Sequence, residues 1–322
     1  MAPSLGLYFD FRNPRPWRRD PAEHYARTLE LIEEADRRGI RGIWVSEHHF
    51  VDDGYVPQPL TALAAIAART RRARLGTAVV VAPLRPAVDI AEQAAIVDLV
   101  SGGRLELGLG AGYVATEFDA FGAAQAERYR ATDERLAEIP RLWASGEVTP
   151  APVQDPVPLW AGYLGPRGAA RAGRLGVGLM TLSPDSHPIY VDALEQAGHD
   201  PTTARMGGVA NMLIADDPDE AFERVLPHRT HQLNSYRLQA AAGTDHTPRK
   251  LTIDEVRERG SGVIEPLTVL TADQAVEYIR AICHGLPVTH LWFWASIGGM
   301  PDDLVHRQME LLVDEVQPAL DA

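Results

Sequence analysis

The sequence predicts an α/β protein and, within that class, a (β/α)8 TIM barrel carrying a long insertion before its last strand. Three observations carry this expectation. Apolar runs of strand length recur eight times, at residues 5–9, 42–45, 75–81, 105–109, 159–161, 177–182, 206–214 and 290–295. Segments with apolar residues at helical spacing separate them. The runs themselves are nearly continuous in apolar side chains, so both faces of each strand must be covered, and eight such units close into a barrel ringed by helices.

Each element follows from local residues. The first run leads into a helix over Pro21–Arg38, with Tyr25, Leu29, Ile32 and Ala35 on one stripe and Glu30, Glu33, Glu34 and Arg38 opposite. Pro86 stands where the helix after the third run begins, and Ser101-Gly102-Gly103 stops it. A helix at residues 135–143 ends likewise at Ser145-Gly146. The Pro-rich stretch 149–158 cannot be helical and should lead extended into the fifth strand. More than 70 residues then separate Ile214 from His290; they begin as a helix at Asp219 and pass through a loop composition at residues 240–250. An insertion of this length on the catalytic face of a barrel is commonly a lid. The expectation is one domain over residues 1–322 with a mobile insertion around residues 231–263.

The composition is that of a folded globular chain, and a net charge of -13 argues against nucleic acid and anionic membrane as partners. A single cysteine, Cys283, excludes an internal disulfide and fits a reducing compartment. No apolar stretch is long enough to span a bilayer, and residues 1–13 lack the pattern of a targeting signal, so a soluble cytoplasmic protein is expected.

Chemistry concentrates at strand ends. The second run stops at Ser46-Glu47-His48-His49-Phe50, which puts a carboxyl group and two imidazoles at the C-terminal tip of a buried strand. Adjacent residues on an extended chain point opposite ways and no further histidine completes a ligand set, so no metal is expected. His228 and His231 share a helical face among polar neighbours and read as solvated. The stretch from Arg104 to Tyr113 fails as a dinucleotide fingerprint, because Tyr113 stands where the third glycine should fall. Its alternating Gly108 and Gly110 instead indicate close approach of something flat or bulky. The turn Gly162-Tyr163-Leu164-Gly165-Pro166-Arg167-Gly168 opens a helix whose free N–H groups, with Arg167, form a cradle for phosphate; a similar turn at residues 295–301 competes for that role. Tyr113, Trp292 and Trp294 are candidate pocket walls.

With these motifs in their order, the chain resembles the luciferase-like flavin-dependent monooxygenases. The resemblance rests on Trp44-Val45-Ser46-Glu47-His48-His49-Phe50, residues 75–85, Ser101-Gly102-Gly103-Arg104-Leu105-Glu106-Leu107-Gly108, Tyr113 with Glu117-Phe118-Asp119-Ala120-Phe121-Gly122, and the closing Gly298-Gly299-Met300-Pro301. It implies FMN at the C-terminal mouth of the barrel. His48 matches the catalytic histidine, with Glu47 or His49 expected to orient it. Ala78 and Val79 match a pair joined by a non-proline cis peptide under the flavin ring. Residues Ala111, Gly112 and Tyr113, with Gly162, Tyr163, Leu164, Gly165 and Arg167, match the cofactor-binding turns. Ala111 stands where luciferase has a phosphate-binding arginine, so Arg167 or backbone groups must serve. The implied activity is that of a two-component monooxygenase: a flavin reductase supplies reduced FMN, O2 gives a flavin hydroperoxide, and one oxygen atom passes to a small organic substrate. A homodimer is implied as well. Deazaflavin-using relatives carry similar Gly-rich turns, so hydride transfer by a deazaflavin-dependent oxidoreductase is the alternative.

Overall fold

A computed structural model describes residues 2–259 and 267–322. Its strands are β1 (Ser4–Phe9), β2 (Gly42–Val45), β3 (Arg74–Thr77), β4 (Val80–Val81), β5 (Leu105–Gly110), β6 (Leu159–Gly162), β7 (Gly178–Met180), β8 (Met206–Val209), β9 (Met212–Ile214), β10 (Thr268–Leu270) and β11 (Val288–Trp294). All described pairings are parallel. The sheet runs β3-β2-β1-β11-β8-β7-β6-β5-β4 and closes through β3 on β5, so eight staves form the expected TIM barrel. Two of the expected strands divide. Residues 75–81 break at Ala78–Val79 into β3 and β4, and residues 206–214 break after Val209, where β9 leaves the barrel to pair with β10.

The helices α1 (Pro21–Arg38), α2 (Pro59–Arg69), α3 (Ala87–Ser101), α4 (Ala115–Phe121), α5 (Arg128–Ser145), α6 (Gly165–Leu175) and α7 (Ser186–Gln196) follow the first six staves, with α4 and α5 both after β5. α1 starts where Asp20 accepts hydrogen bonds from the N–H groups of Ala22 and Glu23, and it stops at Gly39 in the left-handed conformation. Outward residues such as Leu7, Ile43, Leu75 and Leu107 pack against Ile32, Leu63, Ile90 and Ile139 of the helical ring. Inside the barrel, Trp44 stacks on Trp292 with ring centroids 4.1 Å apart. The interior admits these rings because Gly76 and Gly178 lie against the faces of Trp44 and Trp160, where a Cβ would collide. Trp292 is therefore core rather than pocket wall.

The insertion differs from the expected loop. α8 (Pro218–Ala241) runs unbroken through residues 231–241, and α9 (Ile253–Arg259), β10 and α10 (Ala272–Cys283) follow before β11, with α11 (Asp302–Leu311) after it. The helix that opens the insertion thus extends to Ala241, where the loop composition of residues 240–250 begins, and Arg229, Gln232 and Gln239 on it are buried. Only residues 242–252 have no helix or strand within the expected lid, and its residues 260–263 lie outside the described residues.

Candidate active site

β2 turns Trp44 inward and Ile43 and Val45 outward. The same alternation, carried past the strand end, separates the three polar residues. His48 enters the mouth of the barrel, whereas Glu47 and His49 turn away from it. The Glu47 carboxylate accepts hydrogen bonds from Val81 N at 2.8 Å and from an Arg85 guanidinium nitrogen at 2.7 Å, and it lies 2.7 Å from His49 Nε2. These buried groups clamp the end of β2 to β4 and the turn after it. Neither Glu47 nor His49 orients His48, contrary to expectation.

That position belongs to Glu117 of α4, which is 0% exposed. Its Oε1 lies 3.1 Å from His48 Nδ1 and accepts the His49 backbone N–H at 2.8 Å. A carboxylate acceptor holds the proton on Nδ1 and leaves the lone pair on Nε2, which faces the Tyr113 hydroxyl at 3.3 Å. Glu117 stood inside a recognised motif, but its role depends on α4 folding back over the end of β2, and no local pattern announces that.

Three tyrosine rings box the imidazole, with centroids at 4.9 Å for Tyr55, 5.4 Å for Tyr113 and 5.9 Å for Tyr236. The Tyr55 hydroxyl meets those of Tyr8 at 3.1 Å and Tyr236 at 3.2 Å, and also Ser46 Oγ. Burial pushes the Tyr8 and Tyr55 phenols well above their ordinary range, so they stay neutral. The Arg12 guanidinium lies over the Tyr55 and Tyr236 rings and pairs with Asp10 at 3.2 Å and with Asp53. Burial outweighs Arg12 at Asp10, whose carboxyl is pushed up to about 6. At Asp53 burial acts in the same direction, but His231, 3.1 Å away, and Arg12 overcome it and hold that carboxyl below its ordinary value. His231 and Ser235 thus tie α8 to the mouth. His228 is buried against Trp17, with centroids 3.9 Å apart, and its Nδ1 lies 3.1 Å from Gly298 O. The solvated reading of these two histidines fails because α8 packs its His228 and His231 face against the turns after β1, β2 and β11.

The peptide between Ala78 and Val79 is cis. Both residues remain partly exposed beside the mouth, and the Val79 side chain occupies the space that Gly110 and Gly162 leave open; a Cβ on Gly162 would come within 2.5 Å of Val79 Cγ1. The bulky object foreseen from the alternating glycines is thus the protein's own: Val79 at Gly110, Met180 at Gly108. Ala111 is buried, and Gly112 takes φ +68°, with no room for a Cβ against Val81. Trp294 packs edge-on against Tyr8 at 4.5 Å.

At the far rim, α6 begins without a side-chain cap after Leu164, which is 83% exposed, and Gly165 takes φ +68° in open space. Arg167 is exposed on this first turn. Arg128 and Arg171 flank the Tyr129 ring at 4.7 and 5.5 Å. The Tyr163 side chain turns away and donates its hydroxyl to Asp133 at 2.6 Å, so only its backbone faces the turn. In the competing turn Gly298 and Gly299 lie against His228, His231, Pro14 and Trp17, while Ser296, Gly299 and Met300 line a separate cavity of about 460 Å³ between that turn and α1. The partly exposed Ala78–Val79 pair, the uncapped N–H groups at the start of α6 and the nearby Arg128, Arg167 and Arg171 are a set of surfaces, donors and cations that fits a flavin-type cofactor.

Comparison with known proteins agrees. The oxygenase component of the flavin-dependent trigonelline monooxygenase of Acinetobacter baylyi is 34% identical over 157 residues, which is 42% of this chain and 42% of that protein. The F420-dependent glucose-6-phosphate dehydrogenase of Amycolatopsis mediterranei is 30% identical over 290 residues, covering 78% of this chain and 83% of that one. The monooxygenase RslO1 of Streptomyces bottropensis superposes with a TM-score of 0.81 at 27% identity, over 98% of this chain and 99% of its own. The sequence profile of the luciferase-like monooxygenases matches residues 6–290, and the chain belongs to that family of flavin- and deazaflavin-dependent oxidoreductases.

Proposed function

We propose that this protein is the oxygenase of a two-component flavin-dependent monooxygenase, taking reduced FMN from a separate flavin reductase and transferring one atom of O2 to a small organic substrate. The observation that carries the proposal is an inward-facing His48, held by Glu117, beside the partly exposed Ala78–Val79 shelf. When bound, the flavin supplies the reducing electrons and the site of O2 activation. The chain's own residues hold, orient and shield. Ala78 and Val79 support the ring. Ala111, Gly112 and Tyr113 border it. The backbone of Gly162, Tyr163, Leu164 and Gly165 holds the phosphate with Arg167. His48 is the acid/base group, and Glu47 and His49 serve it only by fixing the strand end. Residues 242–252 with α9 close over the mouth to exclude water. A dimer with a second copy is supported by Val88, Ile96, Leu99 and Val100, which expose an apolar stripe along α3. The protein would act in the cytoplasm, where reduced flavin is supplied.

The second reading is hydride transfer with a deazaflavin, favoured by the long match to the Amycolatopsis dehydrogenase. Fluorescence titration of the purified protein with FMN and with a deazaflavin separates the two. With FMN, a reductase and NADH, the proposal expects substrate-dependent O2 consumption and a product heavier by one oxygen atom. Tight deazaflavin binding without FMN binding would overturn it. Ile96→Arg should convert a dimer to a monomer in size-exclusion chromatography; an unchanged elution volume would remove α3 as the interface.

A further inference from the structure

Resting on the flavin-site reading above, we infer that Tyr113 is the group that exchanges a proton with the bound reactant, while His48 and Glu117 form the base behind it. His48 is 9% exposed and enclosed by tyrosine rings, so its only free nitrogen, Nε2, is already covered by the Tyr113 hydroxyl. Tyr113 is 44% exposed, although its hydroxyl end rests on the imidazole. A reactant in the mouth therefore meets the phenol before it meets the histidine.

The position of Tyr113 is set by the backbone. Gly112, left-handed at φ +68°, redirects the chain after β5, and Gln125 Nε2 donates to the Tyr113 carbonyl at 2.9 Å. Behind it, Glu117 keeps the His48 proton on Nδ1 and Nε2 as acceptor. Burial against the mouth wall, with Tyr236 and Glu117 nearby, pushes the Tyr113 phenol above its ordinary value, so it does not ionise alone and requires a base in contact. The transfer balances simply. A proton leaves the reactant for the Tyr113 oxygen as the Tyr113 O–H bond breaks and its proton joins His48 Nε2. The imidazolium formed lies against the Glu117 carboxylate, and Tyr113 ends unchanged.

The phenol's activation can be read without cofactor or substrate. Phenylmethylsulfonyl fluoride reacts with an activated phenol: the oxygen attacks sulfur, the S–F bond breaks, fluoride leaves and the phenol proton passes to the base. Peptide mass spectrometry should show Tyr113 labelled at least ~10-fold faster than Tyr25, which has comparable exposure and no hydrogen-bonded imidazole among the described residues. His48→Ala and Glu117→Gln should each bring the Tyr113 rate down towards that of Tyr25. In 15N-histidine NMR, His48 should be the Nδ1–H tautomer, and Tyr113→Phe should move the Nε2 resonance without changing the tautomer. Labelling indifferent to His48→Ala, or an Nε2–H tautomer, overturns the inference. FMN titration keeps the two readings apart: a wild-type protein that binds no flavin sinks the proposed function, whereas normal flavin binding with an unreactive Tyr113 sinks only this assignment.

Discussion

Glu47→Ala tests whether the carboxylate next to His48 is a structural clamp. The substitution removes the partner of a buried guanidinium and of His49, and it strands the buried Val81 N–H. Breaking a buried ion pair from one side costs about 3–5 kcal/mol and an unsatisfied buried donor about 1–3 kcal/mol. The groups share one network, so the costs overlap and about 4–6 kcal/mol is expected. Unfolding entropy of about 2.1 cal/mol/K per residue over 322 residues gives about 0.7 kcal/mol/K. The midpoint of thermal unfolding should then fall by about 6–9 °C, read by calorimetry at pH 7. Cofactor affinity at 10 °C, where the variant remains folded, should stay within about threefold of wild type, because Glu47 faces away from the mouth. A variant that melts within about 2 °C of wild type yet loses activity completely would refute the reasoning and return Glu47 to the catalytic machinery.

Gly162→Ala puts a methyl group within 2.5 Å of Val79 Cγ1; the overpacking should cost about 1–3 kcal/mol and weaken FMN binding by roughly tenfold, measured by fluorescence titration. Asp10 governs a pH dependence. Its carboxyl is at about 6 when folded against 3.8 ordinarily, so between pH 4 and 6 the native state keeps a proton the unfolded chain has released, and stability falls as pH rises through that window. Relative to Asp10→Asn, the wild type should lose about 2.4 kcal/mol from pH 4 to pH 7 in urea unfolding; a flat difference would contradict the assignment. Asp53→Asn should release α8 by weakening the contacts to His231 and Arg12, seen as faster amide exchange over residues 228–241 and a loss of about 2–3 kcal/mol. Unchanged exchange there would show that apolar packing alone seats α8.

Much of the site was readable because strand ends are local. The Gly42–Val45 run and the polar residues after it fix a buried strand and the chemistry at its tip, and Trp44 inward already implies His48 inward by the two-residue period. Applied to Glu47 and His49, the same period turns both outward, which is how the structure has them. What local pattern withheld were partners far apart in sequence: Glu117 is 69 residues from His48, and Tyr236 is 181 from Tyr55. The helix through residues 231–241 was hidden for a related reason. No local signal marks where it ends, and its polar side chains His231, Ser235 and Gln239 are compatible with packing against the barrel only because Asp53, Arg12 and His49 stand opposite to pair with them.

The amino-acid order alone determined eight apolar staves separated by helices, the chemistry at the tip of the second stave, and the family, because hydrophobic period, turn residues and contiguous motifs are properties of neighbours along the chain. The three-dimensional arrangement alone decided which carboxylate pairs with His48, which phenol covers it and how α8 is tied to the turns after β1, β2 and β11. Those choices depend on closure of the barrel, which brings the ends of β1, β2 and β5 and the α8 insertion together, where burying a polar group is costly unless a partner from another element meets it.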